Sequence, residues 1–132
     1  WIEKHQKSDS FEGIEFMIHS LIDDKPIGFV GLDGISWHNG VSWIGIGIGE
    51  RDYWSKGYGT EAMHLIARYA FEELGLHRLS LSVFSYNTRA IRAYEKVGYI
   101  VEGTVREAVH RDGKRWDVIF MGLLREDWIK TQ

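Results

Sequence analysis

Apolar and polar positions alternate with a period of two through the first third of the chain and shift later to a period near 3.6. Phe11 to Leu21, Ile27 to Trp37 and Val41 to Ile48 read as three strands. Asp23-Asp24-Lys25-Pro26 has turn composition, with Pro26 opening the second of them. Asn39-Gly40, set between apolar runs, is a strong hairpin signal. An antiparallel meander is expected. Trp1 to Ser8 reads as the tail of a helix already under way, with no start signal before it.

The longer period runs from about Thr60 to Leu74 and predicts a helix there. Ala62, Leu65, Ile66, Tyr69, Ala70 and Leu74 make its buried stripe, and Glu61, His64, Arg68 and Glu72 fall on the solvated face. Gly75 stands where a left-handed cap is wanted. Leu79 to Val83 is a short buried strand. Asn87 caps a second helix, Thr88 to Val97, which Gly98 stops. Strands at about Tyr99 to Val109 and Lys114 to Leu123 follow, turning at Arg111-Asp112-Gly113-Lys114, and Leu124 to Lys130 forms a last helical turn. The order β-β-β-α-β-α-β-β is a mixed α/β sheet with one parallel crossover, in a single domain over residues 1–132. Ligands in such sheets bind beyond the carboxyl ends of the strands.

Composition narrows the function classes. These 132 residues contain no cysteine, which removes a thiol nucleophile, a disulfide framework and a thiolate metal site together. That fits a reducing compartment, and a cytoplasmic location is expected. A net charge of −3 without a polybasic tract argues against nucleic acid and anionic membrane as partners. No apolar run approaches transmembrane length. Six residues each of Trp, Tyr and Phe call for a large core or an aromatic-lined cleft. The six histidines are scattered without ligand spacing, so no metal is expected.

Candidate chemistry begins at Trp54-Ser55-Lys56-Gly57-Tyr58-Gly59-Thr60-Glu61-Ala62, which follows a strand and opens a helix. The first helical turn has backbone N–H groups without internal partners, and the dipole there favours negative charge. Glycines at 57 and 59 let phosphates approach main chain that a Cβ would block. On its own the pattern also describes a plain strand-to-helix turn. A nucleotide P-loop does not fit, because it needs Gly-Lys-Ser/Thr and Lys56 precedes Gly57.

The second motif is Asn87-Thr88-Arg89-Ala90-Ile91-Arg92-Ala93-Tyr94-Glu95-Lys96-Val97-Gly98-Tyr99. With Trp54 to Ala62 it resembles the GNAT superfamily of acetyl-CoA-dependent N-acetyltransferases. That family carries Gln/Arg-x-x-Gly-x-Gly/Ala before its third helix and Asn-x-x-Ala-x-x-x-Tyr-Glu-Lys-x-Gly-Phe/Tyr further on. Glu102-Gly103 with Arg106, then Asp112-Gly113 and Asp117, look like the branch of ribosomal-protein N-terminal and spermidine acetyltransferases. The resemblance covers nearly everything from Phe11 onward.

It implies an acyl-CoA N-acyltransferase fold and acetyl-CoA as co-substrate, with no metal. Gly47, Ile48 and Gly49 would offer main chain to the pantetheine arm, and Ser55 through Thr60, with Trp54 before them, would wrap the pyrophosphate. Lys56 would add charge there, or else is a solvated loop lysine. Asn87 would reach the cofactor's amide arm besides capping its helix. Arg89 and Arg92 would meet the 3′-phosphate, or else are surface arginines. Tyr94, two helical turns after Asn87, would stand near the cofactor sulfur as hydrogen-bond donor or acid, with a buried core tyrosine as the plain alternative.

Three departures qualify the match. Trp54 replaces Gln or Arg, and Trp43 stands where the family often has a glutamate base. The family's first strand and helix are absent, so the chain is expected to be N-terminally incomplete. If it does begin at Trp1, an exposed sheet edge predicts pairing with a second copy. Direct attack by an amine in a ternary complex is the expected reaction, because no cysteine is present to carry the acyl group. The acceptor is a protein N-terminal amine or a small amine such as a polyamine. Glu50, Asp33, His38, Glu102 or a water chain could take its proton, and the sequence selects none. A non-catalytic acyl-CoA-binding module is the alternative.

Overall fold

The computed structural model describes residues 2–6, 13–20, 23–48 and 57–132. Its first element corrects an expectation. Ile2–Gln6 is a strand, β1, and not the end of a helix. It pairs antiparallel with β2 (Ile14–His19), from Ile2↔Ile18 to Gln6↔Ile14. The strand satisfies backbone groups along the outer edge of β2, which a lone uncapped helical turn would leave unpaired.

β3 (Pro26–Ser36) and β4 (Val41–Ile48) complete the expected meander around Asn39-Gly40. Helix α1 (Tyr58–Arg68) starts two residues before Thr60, with Gly57 as its N-cap at φ 84°. At Arg68 it passes into a π-helical turn, Tyr69–Glu73, closed by Leu74 N–H donating to the Tyr69 carbonyl at 3.1 Å. The buried stripe differs from the expected one: Met63, Ala67 and Phe71 join Ala62, Ile66 and Ala70 in the core, while Leu65, Tyr69 and Leu74 are half-buried.

β5 (Arg78–Phe84) lies parallel to β4, and α2 (Thr88–Val97) follows it. β6 (Ile100–Arg111) and β7 (Lys114–Leu124) form a long hairpin, and α3 (Arg125–Lys130) ends the fold. The seven strands run in the order β1-β2-β3-β4-β5-β7-β6. Every neighbouring pair is antiparallel except β4 with β5.

Alternation assigns the two faces of the sheet. Val30, Leu32, Ile44, Leu79, Leu81 and Met121 meet α1, α2 and α3 in one core. Trp43, Gly45, Ser82 and Phe84 point to the opposite face and are exposed. On that face Glu102 crosses over Gly122 of β7 to pair bidentately with Arg78 of β5. A Cβ on Gly122 would stand within 2.6 Å of the Glu102 carboxylate carbon and oxygens, so glycine is what allows the crossing.

Candidate functional site

β4 and β5 share only three pairs, Val41↔Arg78, Ser42↔Leu79 and Trp43↔Ser80. Beyond them β4 stays bound to β3 as far as Ile48, and β5 stays bound to β7 as far as Phe84. Each strand follows its other neighbour, and the sheet splits between them. The carboxyl ends of both strands flank this opening, as expected for a site in a mixed sheet.

The opening leads into a cleft of about 610 Å³. Ile46, Gly47 and Ile48 line it from β4, and Gly57, Gly59 and Thr60 line it from the start of α1. Asn87, Arg89, Arg92 and Tyr94 line it from the β5–α2 junction and from α2. Two sequence motifs 30 residues apart thus face one space. Gly49, Trp54, Ser55 and Lys56 lie outside the described residues. Tyr58 packs against the core and is not among the cleft residues. Its hydroxyl is 3.4 Å from that of Ser20, which departs from the expectation that it would face phosphate.

Local geometry explains the glycines and the cap. Gly57 needs its left-handed conformation to end the loop and start α1. Gly59 has no such constraint: a Cβ there would meet only Ile48 Cδ1, at 3.7 Å. Its bareness keeps the cleft wall low. Asn87 Oδ1 accepts from Ala90 N–H at 3.3 Å, so the side chain caps α2 and its amide NH₂ remains a donor. Arg89, Arg92 and Lys96 recur at helical spacing along α2 and give the cleft positive charge. Among the described residues no carboxylate lines it.

Tyr94 is half-buried, its ring centre 6.2 Å from that of fully enclosed Tyr99. Burial pushes the Tyr94 hydroxyl above the ordinary tyrosine value of about 10, so it stays protonated at neutral pH. Tyr99 is pushed higher still, by burial first and by Tyr94 second.

Tyr86 and Arg111 join the site without having been expected from the sequence. Both line the cleft, and the Arg111 guanidinium lies 4.4 Å from the centre of the Tyr86 ring. Tyr86 stacks on Phe84 and meets Trp116 edge-on, while Trp116 Nε1 donates to the Arg111 carbonyl at 3.1 Å. Arg111 arrives on the tip of the β6–β7 hairpin, a tertiary placement that no local pattern announces. Lys96, also unexpected, did carry a signal: it stands seven residues after Arg89 and four after Arg92.

The described base candidates lie away from the cleft. Glu102 is held by Arg78, whose hydrogen bonds keep its carboxyl below the usual range. Asp33 Oδ1 accepts from Gly34 N–H at 3.0 Å beside a bulge in β3. His38 sits in the β3–β4 turn, at the opposite end of β4 from the cleft. Glu50 lies outside the described residues. Asp117 is structural, its Oδ1 accepting from Glu107 N–H at 2.9 Å where β6 bulges.

Comparison with known proteins agrees with this geometry. A family profile described as Acetyltransferase (GNAT) domain matches residues 1–100. The chain is 28% identical over 128 residues to the uncharacterized N-acetyltransferase YokL, derived from the SPbeta prophage of Bacillus subtilis, covering 97% of this chain and 70% of that protein. It is 29% identical to the B. subtilis protein provisionally named ribosomal N-acetyltransferase YdaF, covering 82% of this chain and 58% of that one. Spermidine N-acetyltransferase from Vibrio cholerae, solved in complex with CoA and spermine, superposes with a TM-score of 0.79 at 26% identity. That match covers 89% of this chain and 68% of the other. The chain therefore spans 58% of the length of one of these curated relatives and 70% of the other. It belongs to the GNAT acetyltransferase domain family.

Proposed function

We propose that this chain transfers an acetyl group from acetyl-CoA to a primary amine by direct attack in a ternary complex. The observation that carries the reading is the shared cleft: the glycine turn, the unpaired end of β4, Asn87 and Tyr94 all border it. The cleft suits an acyl-CoA in shape and charge. Past Trp43, the β4 main chain is no longer paired with β5 and can accept an extended amide arm as an added strand. The start of α1, with Gly57, Gly59 and Thr60, suits a pyrophosphate, and we assign Gly49, Trp54, Ser55 and Lys56 to the same wall. Arg89 and Arg92 suit the remaining phosphate, with Lys96 beside them. Asn87 serves twice, its oxygen capping α2 and its NH₂ donating to the arm.

Acetyl-CoA supplies a thioester whose carbonyl carbon takes the new N–C bond while the C–S bond breaks. Tyr94 then donates a hydrogen bond to the charge developing on sulfur. It does not hand its proton over. A thiol near 8.5 and a tyrosine above 10 leave full transfer uphill by about 2 kcal/mol or more. The thiolate is protonated from solvent. The described residues lining the cleft include neither a carboxylate nor a histidine, and the ammonium proton passes to water or to Glu50, which lies outside them. An amine with pKa near 10 is about 0.1% neutral at pH 7, which adds roughly 4 kcal/mol to the barrier, whereas an N-terminal amine near 8 adds about 1.4. That favours a peptide N-terminus over a polyamine.

A second reading, acyl-CoA binding without catalysis, draws on Trp43. At the position where the family often has a glutamate base, its indole can donate a hydrogen bond and cannot accept a proton. Release of free thiol from acetyl-CoA in the presence of N-terminal peptides, amino acids and polyamines separates the two. Binding of acetyl-CoA with no acetylation of any amine would favour the binding module.

A further inference from the structure

Gly45, at the β4–β5 split, is a glycine that neither a described contact nor a backbone angle explains. Gly31 is glycine because a Cβ would come within 2.8 Å of the Ile14 carbonyl oxygen. Gly47 is glycine because the Phe29 ring lies across it, 2.8 Å from where a Cβ would stand. Gly45 pairs with Gly31 in register, two residues before Gly47 on the same open face. It lies in the interior of β4, and a Cβ there would meet nothing within 4 Å among the described residues. A glycine inside a strand costs stability and marks a place where something else approaches closely.

Aromatic rings surround that bare spot. Trp43 stands two residues behind it, 47% exposed, and Phe29 two positions ahead through its contact with Gly47. At about 3.3 Å per residue, Trp43 and Gly47 are roughly 13 Å apart along β4, enough to seat a side chain between them. Across the split, Phe120 of β7 lies 6.1 Å from Trp43, ring centre to ring centre, and nearly perpendicular to it. The rings can meet over β5 because its residues on this face, Ser80 and Ser82, are small. The trough thus opens onto the vertex of the β4–β5 split, on the side of the sheet opposite α1 and α2.

We propose that this trough is the acceptor site and that it selects an amine carried on an apolar or aromatic body, such as a peptide beginning with phenylalanine or leucine. The inference rests on the acetyltransfer reading above. An amine seated over Gly45 reaches the split from one face while the cleft bordered by Tyr94 lies on the other, as direct attack requires. The walls favour an apolar body, and a nearby cation on the acceptor's nitrogen is tolerated by their ring faces. Of the described carboxylates on this face, Asp33 is engaged by Gly34 N–H and Glu102 is paired with Arg78, while Glu15 stands in register with Gly45 across the bare Gly31.

The test compares phenylalanine amide, leucyl peptides, 2-phenylethylamine, glycine amide and spermidine by thiol release, in the parent chain and in Gly45→Val. Valine suits a strand, and its Cβ meets no protein atom, so the fold should hold; acetyl-CoA binding measured by calorimetry checks this. Expected is a preference of at least tenfold in kcat/KM for the apolar amines over spermidine and glycine amide. Gly45→Val should lower kcat/KM for phenylalanine amide tenfold or more while acetyl-CoA affinity changes less than twofold. Spermidine preferred over the apolar amines, or a Gly45→Val effect below twofold, would overturn the trough and leave the acetyltransfer reading standing. No thiol release with any amine would remove both.

Discussion

Replacing Tyr94 by Phe probes the chemistry most directly. The ring contact with Tyr99 is kept and only the hydroxyl is lost, so the fold should be undisturbed. Burial raises the pKa of that hydroxyl and keeps it protonated at neutral pH, so the role proposed for it is one hydrogen bond to an emerging thiolate. Hydrogen bonds to charged groups contribute about 1.5–3 kcal/mol, which corresponds to roughly a 10- to 150-fold loss of kcat. The charge appears on sulfur only as the C–S bond breaks, so kcat and kcat/KM should fall together while the Kd of acetyl-CoA stays within about twofold. Steady-state thiol release at saturating amine, with binding followed by calorimetry, measures both. Turnover within threefold of the parent would refute the donor role. So would a Tyr94→Phe pH profile that loses a limb below pH 10, since that would show proton transfer by a tyrosine ionising in the working range.

Four further outcomes are expected. Asn87→Ala should cost about 1 kcal/mol of stability through the lost cap and also weaken acetyl-CoA binding, whereas Asn87→Ser should keep the stability and still bind acetyl-CoA more weakly. Tyr99→Phe removes a buried hydroxyl that has no hydrogen-bond partner among the described residues, so urea unfolding should find it unchanged or up to about 1 kcal/mol more stable; a loss beyond 1 kcal/mol would reveal a partner. Glu102→Gln should cost about 1 kcal/mol or less at pH 7, since the pair with Arg78 is partly exposed. Because Arg78 lowers the Glu102 pKa, the pair's contribution is full above the ordinary carboxylate value and is lost as pH falls through the depressed one; parent and variant should converge once Glu102 is protonated in both folded and unfolded states, and a persisting gap there would contradict the pairing. Finally, kcat/KM should climb about tenfold per pH unit up to the pKa of the acceptor amine, and a plateau below pH 7 would expose a base within the protein.

The parts of this molecule legible in its sequence are those built from local rules. The Asn39-Gly40 hairpin, the Asn87 cap and the Gly98 stop each follow from backbone preferences within a few residues, and all three are present in the fold. Spacing puts Asn87 and Tyr94 two turns apart on one side of α2, and Arg89 and Arg92, named from the family motif, line the same cleft. The departures share a different cause. Ile2–Gln6 is a strand because it pairs along the edge of β2, and the buried stripe of α1 takes in Met63 and Ala67 because that side of the helix packs into the core. In both, tertiary contact overrode a local period.

Glycine shows the limit most plainly. In the sequence Gly31, Gly45, Gly47, Gly57 and Gly122 are the same letter, and the fold gives most of them separate physical reasons: a neighbouring carbonyl, a phenyl ring, a left-handed cap, a crossing carboxylate. Each of these is satisfied by the chain itself. Gly45 alone of the five has neither a crowding atom nor a positive φ to account for it. A residue that weakens its own strand without a contact or a conformation to require it is best explained by what the strand meets from outside. Together with Trp43 in place of a carboxylate, it moves the question of specificity away from the base and onto the shape of the open face. On the acetyltransfer reading, selectivity comes from which amine is held still over the split, and on this face aromatic walls around Gly45 are what the chain provides to do so.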